Sequence, residues 1–140
     1  MTKRQMGMLF ATALMAGSLA QGSTEKTLAN LQAAYKGESN AHARYQEFAK
    51  KADQEGYAGV ASLFRAASRA EQIHAANHAV VIKKLGATPQ AKIETPAPKS
   101  TRENLEAAIK GETYERDEMY PAFLKQARQD GNADAIQTLN

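Results

Sequence analysis

Glu71 and His74 lie three residues apart in the stretch Ala70-Glu71-Gln72-Ile73-His74-Ala75. On a helix that spacing puts both side chains on one face, and a carboxylate beside an imidazole can hold a metal ion. Their neighbours show that this face is not an ordinary surface. Val60, Phe64, Ala67, Glu71, His74, His78, Val81 and Leu85 recur at alternating steps of three and four, the pattern of a helix seam packed on a core. Glu71 and His74 thus occupy positions where leucine or valine would ordinarily sit. A bare carboxylate there is strongly destabilising unless it is paired or bound to a cation. The bland alternative, a surface helix laced with ion pairs, fits the seam poorly.

The elements that must carry these groups follow from the same periodicity. Residues 27–55 keep the three-four alternation through Leu28, Leu31, Tyr35, Glu38, His42, Tyr45, Ala49 and Ala52, so a second glutamate sits on a seam, and Gly56 ends that helix. The next helix runs from 58 to 85 and Gly86 closes it. A capping box, Ser100-x-x-Glu103, opens a third over 101–130, with Leu105, Ala108, Glu112, Glu115 and Met119 on one face. Pro121 falls inside it and predicts a local kink. Glu115 adjoins Arg116 and Glu118, on a face that turns toward water. Residues 133–140 begin a fourth helix. His42 and His78 read as hydrogen-bonded core histidines or as supports behind ligand groups rather than as ligands, Tyr45 and Tyr120 as core aromatics, and Glu103 and Glu106 as first-turn charges.

Residues 86–100 hold three of the four prolines and form a linker. A helix of 27 residues is roughly 40 Å long, and fifteen extended residues reach up to roughly 50 Å. The linker can therefore run the length of a bundle and start the next helix at the far end. Two antiparallel hairpins joined by one long crossover define the all-α, ferritin-like four-helix bundle, here with its fourth helix truncated.

The chain also repeats itself. Residues 27–39 (TLANLQAAYKGES) match 101–113 (TRENLEAAIKGET) at an offset of 74, and after one inserted residue 44–56 match 119–131 at an offset of 75. One helical hairpin is written twice. Since Glu71 follows Gly56 by fifteen residues, the second copy should place its Glu-x-x-His six positions beyond Asn140. The expectation is a fragment, or a relative that lacks half of the site.

Composition narrows the functions. The 140 residues make one domain. They include no cysteine, which excludes disulfides, thiolate metal sites and iron–sulfur clusters within the sequence. Residues 1–20 read as a secretory signal: Lys3-Arg4, an uncharged apolar run from Met6, and a small-x-small site at Ser18-Leu19-Ala20. That predicts export to a bacterial periplasm, with an uncleaved anchor helix as the alternative. Without the leader's two basic groups the net charge of +3 falls to +1, and no basic stripe or RNA-binding motif is present, so nucleic-acid binding has no support.

One glutamate from each of two helices plus a Glu-x-x-His from each of the other two is the ligand set of ferritin-like di-iron and di-manganese proteins. Three blocks carry a closer likeness: Gly37-Glu38-Ser39-Asn40-Ala41-His42-Ala43-Arg44-Tyr45, Ala70-Glu71-Gln72-Ile73-His74-Ala75-Ala76-Asn77-His78, and Gly111-Glu112-Thr113-Tyr114-Glu115-Arg116-Asp117-Glu118-Met119-Tyr120-Pro121. In these the sequence resembles the rubrerythrins over about residues 25–140. The resemblance implies Glu38, Glu71, His74, Glu112 and Glu115 as iron ligands, with Glu71 bridging and manganese as the alternative metal. It implies Tyr45 and Tyr120 hydrogen-bonded to ligand carboxylates. It implies reduction of hydrogen peroxide to water, with the metals cycling between diferrous and diferric forms. The family's rubredoxin-like cysteine module is absent here, so the resemblance calls for an external electron-donor protein. A homodimer is expected, and the long crossover would allow its helices to be swapped. Two competing readings are a ferroxidase or iron-handling protein, and a helical bundle without catalysis.

Overall fold

The computed structural model describes residues 13–140, with side chains from Thr24 onward. The leader expected at 1–20 falls largely outside the described residues. Within them every regular element is helical: α1 (Ala13–Gln54), α2 (Ala58–Lys84), α3 (Thr101–Tyr114), a π-helical turn (Glu115–Met119), α4 (Tyr120–Gln129) and α5 (Ala133–Leu139). The arrangement is a ferritin-like helical bundle. Among the described residues α1 is already helical at Ala13, upstream of the start expected near Thr27. No helix among the described residues is long and apolar enough to cross a membrane.

Helices α1 and α2 form the first hairpin. At its turn Gly56 takes φ 82° while Tyr57 N–H bonds back to the Ala52 carbonyl at 2.8 Å, a Schellman ending. Gly131 does the same after α4 with φ 64°, and Asn132 N–H returns to Ala127 at 3.0 Å. These two positions are equivalent in the sequence repeat.

The crossover, residues 86–100, is strapped to α1. The Gln32 amide donates to the Thr88 carbonyl at 2.8 Å and accepts from Gln90 N–H at 3.1 Å. Two turns along, the Asn40 amide donates to Lys92 O at 3.0 Å and accepts from Glu94 N–H at 2.6 Å. At the far end Thr101 N–H donates to Glu55 at 2.8 Å. The strap thus follows α1 from residue 32 to residue 55, about 35 Å of helix, and delivers α3 to the opposite end of the bundle. There Ser100 accepts from Glu103 N–H while the Glu103 carboxylate accepts from Ser100 N–H, so the expected capping box is formed.

The repeat is visible in the contacts as well. Thr27 and Thr101 are equivalent, as are Glu55 and Asp130. Thr101 is held by Glu55, and the Thr27 hydroxyl donates to Asp130 at 2.5 Å. Each hairpin thus begins against the end of the other's first arm.

The core is divided. One apolar cluster gathers Leu31, Ala34, Val81, Ile82, Ala127, Ala135 and Leu139, and another gathers Ala41, Tyr45, Phe48, Ala49 and Phe64. Between them along α1 and α2 lies a polar layer that includes Glu38, Glu71 and His78, all buried.

Replacing Ser100 with alanine removes the cap that starts α3. It should lower stability by about 1 kcal/mol, read as a lower urea midpoint with an unchanged slope.

Candidate metal centre

The five glutamate and histidine positions singled out in the sequence line one cleft of about 420 Å³: Glu38 from α1, Glu71 and His74 from α2, Glu112 from α3 and Glu115 from the π turn. Ligating atoms of Glu38, Glu71 and His74 lie within 4.8 Å of one another. His74 Nδ1 is 2.9 Å from Glu71 Oε2. The five differ in burial. Glu38 and Glu71 are buried, Glu115 half-buried and Glu112 exposed. The His74 side chain is 53% exposed, although the periodicity places it on a core seam. Glu115 is drawn toward the cleft, contrary to the solvent-facing position that Arg116 and Glu118 suggest.

The π turn accounts for the third helix. A local kink is expected at Pro121, and the structure shows one wide turn ahead of it instead. Pro121 has no N–H to give to the carbonyl four residues back, and its ring would clash there in an α-helix. A π turn absorbs one extra residue without breaking the rod. That extra residue is the one inserted in the repeat, where the offset passes from 74 to 75. Glu38 and Tyr45 are seven residues apart, whereas Glu112 and Tyr120 are eight apart. The π turn restores the register, so Tyr120, rather than Met119, reaches the cleft.

The result is a reciprocal pair. The Tyr45 hydroxyl donates to Glu112 Oε1 at 2.5 Å, and the Tyr120 hydroxyl donates to Glu38 Oε1. Each copy's tyrosine holds the other copy's glutamate. Burial raises both phenols well above their ordinary range, so both stay protonated as donors. Tyr45 packs against Phe48 and Phe64, with the Arg44 guanidinium 5.5 Å from its ring centre. His78 lies behind Tyr120, its Nε2 3.1 Å from the phenol oxygen and its Nδ1 3.0 Å from the Thr138 hydroxyl. Burial lowers His78 to about 4, so its ring is neutral at pH 7. His42 sits on the far side of α1, with Nδ1 against the Ser68 carbonyl and hydroxyl at 2.7 and 2.9 Å, away from the cleft. Thr138 and Ser68 carry no motif that would have singled them out in the sequence.

The electrostatics of the metal-free layer are strained. Burial pushes Glu38 up to about 8, and the neighbouring Glu71 carboxyl adds to the shift. Burial also raises Glu71, with Glu112 and Glu115 contributing, and it brings Glu115 up to about 7. Glu38 Oε1 takes the Tyr120 hydrogen bond, while Oε2 is buried with no partner. An ionised, buried oxygen without a donor is costly. A cation held by Glu38, Glu71 and His74 supplies what the fold withholds, and carboxylate–imidazole donors without sulfur suit iron. The residues therefore fit a metal.

The fold and the cleft together define a ferritin-like bundle with a carboxylate- and histidine-lined cleft at mid-height whose residues fit a metal. A family model described as Rubrerythrin matches residues 29–140, and the chain belongs to that family. Nigerythrin from Nitratidesulfovibrio vulgaris is 40% identical over 111 residues, 79% of this chain and 55% of the relative. Rubrerythrin-2 from Clostridium acetobutylicum is 36% identical over 112 residues, 79% of this chain and 60% of that one. A solved structure of nigerythrin in its fully reduced, all-ferrous state aligns with a TM-score of 0.76 at 38% identity, over 81% of this chain and 56% of the other. The chain thus spans little more than half the length of these relatives.

The shifts set the pH response of the metal-free protein. Glu38 and Glu115 bind protons more tightly folded than at the ordinary 4.5. Their stabilising contribution is present at low pH and lost as pH rises toward 8. His78 acts in the opposite sense, and its contribution is lost as pH falls from 6.5 toward 4. Between pH 6.5 and 8 the carboxyls dominate. Calorimetry in chelator should find a higher melting temperature at pH 6.5 than at pH 8, with the difference reduced in Glu38→Gln.

Proposed function

We propose that the protein is a non-haem di-iron oxidoreductase of the peroxide-reducing type, fed by a separate electron-donor protein. The observation that carries this reading is Glu38: a buried carboxylate with one oxygen fixed by Tyr120 and the other without a partner, facing Glu71 and His74. Glu38, Glu71, His74, Glu112 and Glu115 would hold the iron. Once bound, iron would supply the electrons that reduce hydrogen peroxide, two electrons and two protons giving two waters.

The chain's own part is positioning. Tyr120 and Tyr45 hold Glu38 and Glu112 from opposite sides, so the acidic groups cannot drift apart when a cation binds. The cleft is roomy for a molecule as small as peroxide, and His74, Arg116 and Pro121 are among the exposed residues that line it. The 140 residues hold no thiol and so offer no sulfur-based route for electrons themselves, which fits a donor outside them. Membership of the rubrerythrin family supports iron in particular and peroxide as the oxidant. Lys3-Arg4 and the apolar run after them support export, which N-terminal sequencing of the secreted product tests.

The decisive experiment loads the protein anaerobically with ferrous iron and adds peroxide under a reductant. The expected outcome is a bound stoichiometry near two irons and peroxide consumption well above that of free ferrous ion. Glu71→Gln should weaken iron binding at least roughly tenfold, as loss of a metal-site contact commonly does, and abolish the excess rate. Consumption no faster than free iron overturns the peroxidase reading. Uptake in many-fold excess over two would replace it with an iron-storing role.

A further inference from the structure

The two tyrosines of the site are equivalent in the repeat but not in what supports them. Tyr45 rests on phenylalanine rings. Tyr120 is backed by His78, a fully buried imidazole that is not itself among the expected ligands. The neutral ring has one donor nitrogen and one acceptor nitrogen, so its two contacts fix each other. The Tyr120 hydroxyl spends its proton on Glu38. Its oxygen must therefore accept from His78, which places the imidazole proton on Nε2. Nδ1 is then the acceptor, and the Thr138 hydroxyl must donate to it. The chain runs in one direction, from Thr138 on α5 through His78 on α2 and Tyr120 on α4 to Glu38 on α1.

We propose that His78 is a positioning residue of the metal centre, fixing through Tyr120 which oxygen of Glu38 is left to face the cation. The inference rests on the metal-site reading above. Oε1 is committed to Tyr120, and Oε2, buried and unpartnered, is the atom left for a ligand. Without the His78 donor the phenol can swing its proton elsewhere, and Glu38 loses the restraint that distinguishes its two oxygens. Hydrogen-bond partners of ligand groups orient them and tune affinity in this way. The link also reaches α5, because the Thr138 hydroxyl supplies the donor that Nδ1 of His78 then requires.

The test uses cobalt(II), whose visible bands report ligand geometry independently of any turnover. His78→Leu and Tyr120→Phe should each weaken cobalt binding roughly 10–100-fold and change the band shape, whereas His78→Gln, which retains a donor near Nε2, should stay within about threefold of wild type. The double variant should be no worse than Tyr120→Phe alone, since both act through one hydroxyl. Equal damage from leucine and glutamine, or additive losses in the double variant, overturns the positioning role and leaves the metal site standing. Failure of the wild-type protein to bind cobalt overturns the metal-site reading and the inference together. Nitrogen-15 NMR of the zinc-loaded wild-type protein tests the same claim without any core substitution. The His78 proton is expected on Nε2, and finding it on Nδ1 overturns the proposal.

Discussion

The structure depends on a conflict at the middle of the bundle. Helices need apolar seams to pack, yet here the seam of α1 carries Glu38 and that of α2 carries Glu71, both largely buried. Two ionised carboxyls so close repel one another, and neither the desolvation nor the repulsion is relieved by a lysine or arginine among the groups that hold them. The metal-free chain answers by retaining protons, which is what the raised Glu38 and Glu71 values express. A cation answers it better. Much else in the molecule can be understood as keeping that layer in place while it remains unfavourable. Apolar clusters close it above and below, two tyrosines grip it from opposite sides, and a strap holds the second hairpin in register with the first.

Duplication explains how so few residues achieve this. A single hairpin cannot surround a polar layer, but two copies facing each other can, each supplying the hydrogen-bond donor for the other's acid. The pairs Tyr45–Glu112 and Tyr120–Glu38 follow that logic at the centre, and Thr101–Glu55 and Thr27–Asp130 follow it at the ends. The copies then diverge where the chemistry asks for difference. The second carries one more residue, stored as a π turn, and its tyrosine acquires an imidazole behind it.

Much of this was legible in the sequence, because the governing signals are periodic. The three-four alternation identified the helices, Gly56 and Gly86 marked the ends of the first two, and the proline-rich stretch gave a crossover of sufficient reach. Periodicity also brought Glu38 and Glu71 to the interior and Glu112 to the rim of the same cleft. It fell short where geometry depends on neighbours in space. Pro121 announces a disturbance, but whether a helix bends or widens depends on what its far side must reach, here Glu38 from Tyr120. Glu115 looked solvent-facing because its flanking residues are charged, and the wide turn that draws it toward the cleft has no local signature. His74 lies on the seam by spacing, yet among the described residues no helix closes over its side. Thr138 is an unremarkable residue near the end of a short helix, and only proximity gives it a part.

The crossover touches α1 and contributes no wall to the cleft. Its stretch from Thr95 to Ala97 is exposed, between the Asn40 anchor and the cap of α3. The molecule therefore separates wiring from chemistry: foreign sequence spliced at that loop would lengthen a tether on the outer wall and leave the buried acids undisturbed. A reporter or affinity handle belongs there, where a lineage could also graft a new module without renegotiating the centre.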